Sequence, residues 1–324
     1  MNKNKRIWIT WLNHRRNVEL SVELNCKLYQ LQYNGHKLLR YFILSFKTIR
    51  IIYIERPFLV FTQNPSLVLP ILLIIIQKVF KFKLVVDAHN AGLFPIEGKY
   101  KILNFISRIV QRKAHLTVVT NSLLEKLVRQ NKGKVFILPD KIPYIPKRKK
   151  LSLKGLHNFL LVSSFSLDEP LVEVIDAFKE LPKTFHLYIS GNFKKANIDQ
   201  ENIPDNVIFT GFIPNNEYEQ LMQSVDLVIN LTLRNNCLLC GAYESISVLK
   251  PLILTDNSLL VNFFNKGSVY VENNKNAIKD GVLRAISNKR LLKNEIKVFK
   301  RDYNSEWKKR KLLFEKLLIM KFNH

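Results

Sequence analysis

Asp87-Ala88-His89-Asn90 puts a carboxylate and an imidazole two positions apart, directly after the apolar stretch Lys83–Asp87. At a strand end such a pair can take up a proton or orient a hydroxyl. His14-Arg15-Arg16 follows the first apolar stretch and can grip phosphate through the planar forks of its arginines. In the second half, Ser163 and Ser164 end another apolar stretch, where small hydroxylated residues let the backbone approach a ligand and offer donors. Gly191 ends the stretch Phe185–Ser190 in the same manner. Leu231–Asp256 is the richest segment. Cys240-Gly241-Ala242 leads into a helix whose unpaired N–H groups and positive dipole suit a diphosphate. Glu244 stands one turn in, placed to accept from ribose hydroxyls, and Arg234 can neutralise phosphate charge. Each piece has an ordinary explanation if taken alone: a capped loop, a solvated basic triplet, a helix start with an acidic first turn.

These residues sit where strands end. Lys5–Trp11, Pro57–Gln63, Lys83–Asp87, Leu116–Thr120 and Val135–Leu138 read as short buried strands, with helical spacing over Ile102–Lys113 and Ser122–Gln130. Asn121 is placed to cap the second of those helices. Pro139, Pro143 and Pro146, then Lys147-Arg148-Lys149-Lys150, mark a break. The alternation restarts with strands at Asn158–Ser163, Phe185–Ser190, Val207–Thr210, Leu227–Leu231, Pro251–Thr255 and Ser268–Val271. Helices are expected at Pro170–Leu181 and Tyr243–Lys250, and from Asn276 onward. The expected fold class is α/β, with two doubly wound parallel-sheet domains: residues 1–145, a linker at 146–156, and residues 157–324. Sheets of this kind bind ligands at the carboxyl ends of their strands, here across a cleft.

The 324 residues carry 51 Lys and Arg against 26 Asp and Glu, a net charge of +25. Residues 1–155 hold +22 of it and residues 156–324 only +3. So basic a half seeks polyanions, although lysine-rich solvated surface is the plain alternative. With 47% hydrophobic residues the chain can bury a core, which excludes wholesale disorder. Cys26, Cys237 and Cys240 are too scattered for a disulfide scaffold or a four-ligand zinc site, and fit a reducing compartment. The run Leu67–Ile76 is well short of the ~20 residues that span a bilayer. It reads as a core helix or one touching a lipid boundary. No phosphate-binding loop, dinucleotide fingerprint, zinc-protease helix or serine-hydrolase elbow is present. Nor is any D-x-D, so no metal or cofactor is expected.

The succession of segments in the second half resembles the GT-B glycosyltransferases of the family-4 (group 1) kind. Leu160–Ser166 is similar to the family's opening strand and loop, and Val207-Ile208-Phe209-Thr210-Gly211 to its V-x-F-x-G. Ser224-Val225-Asp226 matches an "-AD-" turn. Gly241-Ala242-Tyr243-Glu244-Ser245, then Leu249, Lys250 and Pro251, follow a G-x-x-E-A-x-x-x-G-x-P block. Asn64-Pro65 and the Asp87–Asn90 stretch also resemble the chitobiosyldiphosphodolichol beta-mannosyltransferases. Two departures stand out. Asn236 replaces a glutamate eight positions before Glu244, and Ser166-Leu167-Asp168-Glu169-Pro170 lacks the Arg and Lys that many members place there. Arg234 or Lys194 would substitute.

The resemblance implies metal-independent transfer of a sugar from a nucleotide-diphosphate donor to a hydroxyl of a lipid-linked or polysaccharide acceptor. The setting would be cell-surface polysaccharide synthesis by a cytoplasmic protein, peripheral on an anionic inner membrane surface. The donor would meet Ser163, Ser164, Gly191, Arg234, Gly241, Ala242, Tyr243 and Glu244. Asp87 or His89 would serve as base in an inverting path, while in a retaining path the leaving diphosphate would take the proton. His14, Arg15, Arg16 and Asn64 would face the acceptor and its phosphate, and the terminal helix near Trp307 would cross back to the first domain. The rival readings are a nonenzymatic partner subunit of the same fold and a basic nucleic-acid binder. No nucleic-acid-binding module is recognisable, so no nucleic-acid partner is expected.

Overall fold

The computed structural model describes residues 5–193 and 203–322. They form two units, one running to Lys141 and taking up the chain again from Glu306, the other spanning Ile142–Ser305.

The first unit is built from β1 (Arg6–Thr10), α1 (Arg15–Glu23), β2 (Lys27–Gln30), α2 (Lys37–Glu55), β3 (Leu59–Gln63), α3 (Val68–Phe80), β4 (Lys83–Asp87), α4 (Asn90–Leu93), α5 (Lys101–Lys113), β5 (Leu116–Val119), α6 (Ser122–Gln130) and β6 (Val135–Ile137). Its sheet is parallel, in the order β2-β1-β3-β4-β5-β6. Strand β3 is buried along its whole length and β4 nearly so, because helices cover both faces. Trp8 stacks on Phe61 at 5.3 Å between neighbouring strands. Helix α6 begins where its sequence predicts, since the Asn121 side chain accepts from Leu124 N at 3.1 Å. Its inward face is Leu124 and Val128, one turn apart. The short edge strand β2 and helix α2 were not anticipated.

The second unit follows an irregular stretch and comprises β7 (His157–Val162), α7 (Leu171–Glu180), β8 (Phe185–Ser190), β9 (Val207–Gly211), α8 (Asn215–Ser224), β10 (Leu227–Asn230), α9 (Cys240–Ser247), β11 (Leu252–Thr255), α10 (Ser258–Phe263), β12 (Ser268–Val271) and α11 (Lys275–Ser287). Its parallel sheet has the order β12-β11-β10-β7-β8-β9. The chain moves outward from β7 to β9, then restarts at β10 on the other side of β7. The carboxyl ends of β7 and β10 therefore flank the crossover, where sheets of this type leave a crevice. Asp226, in the "-AD-" turn, accepts from Asn158 N at 2.8 Å and pairs with Lys289, tying the starts of β7 and β10 to the next helix.

Helix α12 (Lys289–Phe322) is shared between the units. In the second unit Ile296 and Phe299 join the core around Phe264. In the first, Trp307 Nε1 donates to Pro139 O at 3.0 Å, Phe314 lies 5.0 Å from the Phe136 ring, and Glu315 pairs with Arg6 at 2.8 Å. None of the described helices is long and apolar enough to cross a membrane.

Candidate functional sites at the strand ends of each unit

In the first unit the ends of β1, β3 and β4 bring Arg16, Gln63, Asp87 and His89 together. Arg16 is buried and holds Asp87 through Nε (2.9 Å to Oδ2) and Nη2 (2.8 Å to Oδ1), and Asp140 through Nη1 (2.9 Å). Its Nη2 also donates to Leu138 O at 2.8 Å. Burial alone would raise the Asp87 carboxyl, but Arg16 and then His89 hold it well below the ordinary carboxylate range. Burial works against the Arg16 charge, and Asp87 and Asp140 more than restore it. Two expectations are thereby corrected. Arg16 is not a surface grip for phosphate, because all of its partners lie inside the protein. Asp87 is not a free base, because its charge is neutralised and only 1% of the residue is exposed.

His89 is the accessible member of the group. Its Nε2 lies 3.1 Å from Asp87 Oδ2 and 2.8 Å from Gln63 Nε2. Gln63 is oriented from behind: the Trp8 indole donates to Asn17 Oδ1 (3.2 Å), and Asn17 Nδ2 donates to Gln63 Oε1 (2.7 Å). An indole N–H can only donate, so this relay has one sense. With Nε2 engaged inside the protein, Nδ1 is the nitrogen left to exchange a proton with a ligand. His14 sits edge-on to His89 at 5.1 Å between ring centroids. Its own proton affinity is lowered, first by burial and then by His89. Rather than reaching outward, His14 caps α1 by accepting from Arg16 N at 3.3 Å, and Arg15 is half-buried at the start of that helix. Asn64 is fully buried, and Gly92 has no room for a Cβ, which would meet the Asn64 backbone oxygen at 1.5 Å. That contact makes Asn64 a packing residue of the α4 turn.

In the second unit the crossover loops are organised by two adjacent acids. Glu169 accepts from Ser163 Oγ (2.5 Å), Ser164 Oγ (2.6 Å), Ser164 N (3.0 Å) and Phe165 N (3.1 Å). Phe165 adopts a left-handed conformation at φ +57°, so successive N–H groups converge on one carboxylate as they would on a bound anion. Asp168 accepts from Thr232 Oγ1 at 3.1 Å and, through its backbone oxygen, from Leu233 N at 2.7 Å, and pairs with Arg234 at 3.2 Å. Ser163 and Ser164 are thus engaged by Glu169, and Arg234 shares its charge with Asp168. Gly191 has φ +114°, and a Cβ there would meet Ser163 O at 2.3 Å. At Gly241 a Cβ would meet Asn230 Oδ1 at 2.2 Å. Glu244 accepts from Tyr218 Oη at 2.7 Å.

Two further expectations need correction. Tyr243 belongs to the core, packed among Phe263, Phe264 and Tyr303, with 2% of its surface exposed. Ala242 is fully buried and its N–H donates to Leu239 O. Helix α9 begins at Cys240, three residues before the expected start, and Tyr243 is among its buried residues. Lys194 lies outside the described residues.

Sequence reasoning missed Gln63, Asn17, Asp168 and Glu169. Gln63 carried a signal, a polar residue closing an apolar strand. The two acids read instead as a stretch lacking base.

Residues 146–301 match the family Glycosyl transferases group 1. This segment, a little under half of the chain, is what is similar to the group 1 glycosyl transferases. No curated protein matches it in sequence. Among solved structures the chain is similar to a sucrose-phosphate synthase from Thermosynechococcus elongatus (TM-score 0.76, 13% identity, 99% of this chain and 100% of that one). It is also similar to Anabaena HepE in complex with UDP-glucose (0.68, 13%, 93% and 90%) and to a Rickettsia africae glycosyltransferase (0.58, 12%, 95% and 99%). At these identities the likeness establishes the fold, and the two parallel six-stranded sheets are those of GT-B proteins.

Proposed function

We propose that this glycosyltransferase moves a sugar from a nucleoside-diphosphate donor, held at the β7/β10 crossover, to a hydroxyl of a lipid-linked glycan in cell-surface polysaccharide assembly. The observation that carries the donor assignment is a glycine packed closely at each of two strand ends: Gly191, after β8, against Ser163 O, and Gly241, at the start of α9, against the Asn230 side chain. The amino end of α9 would meet a diphosphate, with Arg234 supplying positive charge. These groups take the part that a metal plays on leaving diphosphates elsewhere. Glu244, one turn further, accepts from the ribose. The complex of HepE with UDP-glucose makes UDP-sugars the first donors to try.

In the first unit His89 is the base. Its imidazole takes the proton of the acceptor hydroxyl as that oxygen bonds to the sugar. The sugar–phosphate bond then breaks, and the diphosphate leaves with the electron pair. That path inverts the anomeric centre. A retained configuration would assign the proton to the leaving diphosphate.

The cytoplasmic membrane surface is the proposed place of work. Helices α2, α3 and α5 pack side by side and leave Phe42, Phe46, Ile75, Val79, Ile102 and Phe105 each more than half exposed. The same three helices carry nine Lys and Arg against one Glu. Apolar side chains set among base suit an anionic lipid surface.

Melting the purified chain against UDP-, GDP-, dTDP- and CMP-sugars tests the donor reading, because native-state ligands raise the melting temperature by mass action. A selective rise with one nucleotide family, lost in Glu244→Ala, is the expected result. No rise with any of them, in a protein that melts cooperatively, would overturn it.

A further inference from the structure

The amino ends of β10 and β11 carry a second concave feature, on the sheet edge away from the crossover loops. A cavity of about 560 Å³ is walled by Lys147, Arg148, Lys150, Lys250, Lys289 and Lys293. The acids here are few and already engaged. Asp226 pairs with Lys289, and Glu219 with Arg148 at 2.8 Å. Lys147, Lys150 and Lys293 have no acidic partner among the described residues. We propose that this cavity is a ligand site for a compact polyanion carrying two or more phosphate groups.

The volume falls within the range of small-molecule sites. No aromatic side chain lines the cavity, so it lacks the stacking surface on which nucleic-acid bases are held. Lys250 is a partly buried cation of the cavity, and its surroundings affect it. Burial, and next Lys150, push its ammonium down to about 8, and its Nζ turns to donate to Val225 O at 2.5 Å. A bound polyanion would relieve that repulsion directly. The cavity shares no residue with the proposed donor site, so both can be filled at once, and either assignment can fail without the other.

The chemistry fits a free polyphosphate or the headgroup of an anionic phospholipid, and titration of the full chain separates the two. One arm uses inorganic tripolyphosphate at low salt, the other vesicles of cardiolipin, an anionic phospholipid whose headgroup carries two phosphates. The variant is Lys150→Glu with Lys293→Glu, two exposed positions whose replacement breaks no ion pair. The expected result is saturable one-to-one binding of tripolyphosphate, weakened at least tenfold in the variant at an unchanged melting temperature. Vesicle binding that weakens as much in the variant, without tripolyphosphate binding, would assign the site to headgroups. Absence of both, or binding that the variant leaves unchanged, overturns the proposal.

Discussion

Asp168 and Glu169 are adjacent in sequence yet brace different loops. Asp168 secures the loop after β10 through Thr232, Leu233 and Arg234, while Glu169 closes the loop after β7 around the Ser163, Ser164 and Phe165 donors. Where related proteins place base in this stretch, the chain uses internal carboxylates to shape the backbone. On the proposed donor reading, a diphosphate would meet preformed loops whose Arg234 already pairs with Asp168.

Glu169→Gln should lower stability by about 1 kcal/mol, the usual effect of weakening charge-assisted hydrogen bonds, here from the partly buried Ser163 and Phe165 and the exposed Ser164. Urea denaturation of the variant checks this. An unchanged midpoint would show that the loop is held by other contacts.

Asp87→Asn breaks a buried ion pair and leaves Arg16 with Asp140 alone, which should cost about 3–5 kcal/mol at neutral pH. The folded Asp87 carboxyl titrates below its unfolded value, so its contribution is fully present above the unfolded pKa, about 4. It is lost as pH falls toward the folded value. The stability gap between wild type and variant should thus be wide at pH 7 and narrow steadily below pH 4 in denaturant titrations. A gap independent of pH would mean that the pair contributes through packing rather than charge.

Phe42→Ser with Phe46→Ser removes two exposed rings from α2 without touching its buried stripe of Leu44, Thr48 and Ile52. Sedimentation with phosphatidylglycerol vesicles should fall by tenfold or more while melting is unaffected, because each ring contributes apolar burial only at the membrane. Equal sedimentation of both proteins would remove this face from membrane contact.

Much of this architecture was legible in sequence because local signals agreed with the fold. Lys83–Asp87, Phe185–Ser190 and Ser268–Val271 are strands over the predicted spans, and Ser122–Gln130 is a helix with the predicted cap. Edge strand β2 escaped because Lys27–Gln30 is half polar and never fully buried, so no apolar run announces it. The side-chain partnerships escaped for a different reason. Arg16 with Asp87 and Asp140, or Glu169 with its loop, are long-range or conformational pairings that no spacing rule encodes. A basic triplet looks the same whether it faces water or a buried carboxylate.

Leu249 stands in a left-handed conformation, φ +60°, where the group 1 pattern has glycine. Side chains there strain against the following carbonyl by roughly 1–2 kcal/mol. Leu249→Gly should therefore be more stable than Leu249→Ala by about 1 kcal/mol, the reverse of the order in regular strands and helices. Thermal unfolding of the two variants decides it, and an alanine variant as stable as the glycine variant would show that the backbone relaxes.

Gly241 opens α9 directly against Asn230, the last residue of β10. Asn230 is 4% exposed, and its Oδ1 occupies the space a Cβ at position 241 would need, 2.2 Å away. Gly241→Ala should cost about 1–3 kcal/mol of stability, as overpacking in a rigid site does, and should weaken donor binding by displacing the helix start. Asn230→Ala vacates that space, so the double variant should recover most of the loss. The two positions would then show a coupling energy of at least about 1 kcal/mol in a double-mutant cycle. Additive losses would mean that the helix moves as a body to admit the methyl group. In that case donor affinity in the double variant would stay as low as in Gly241→Ala alone.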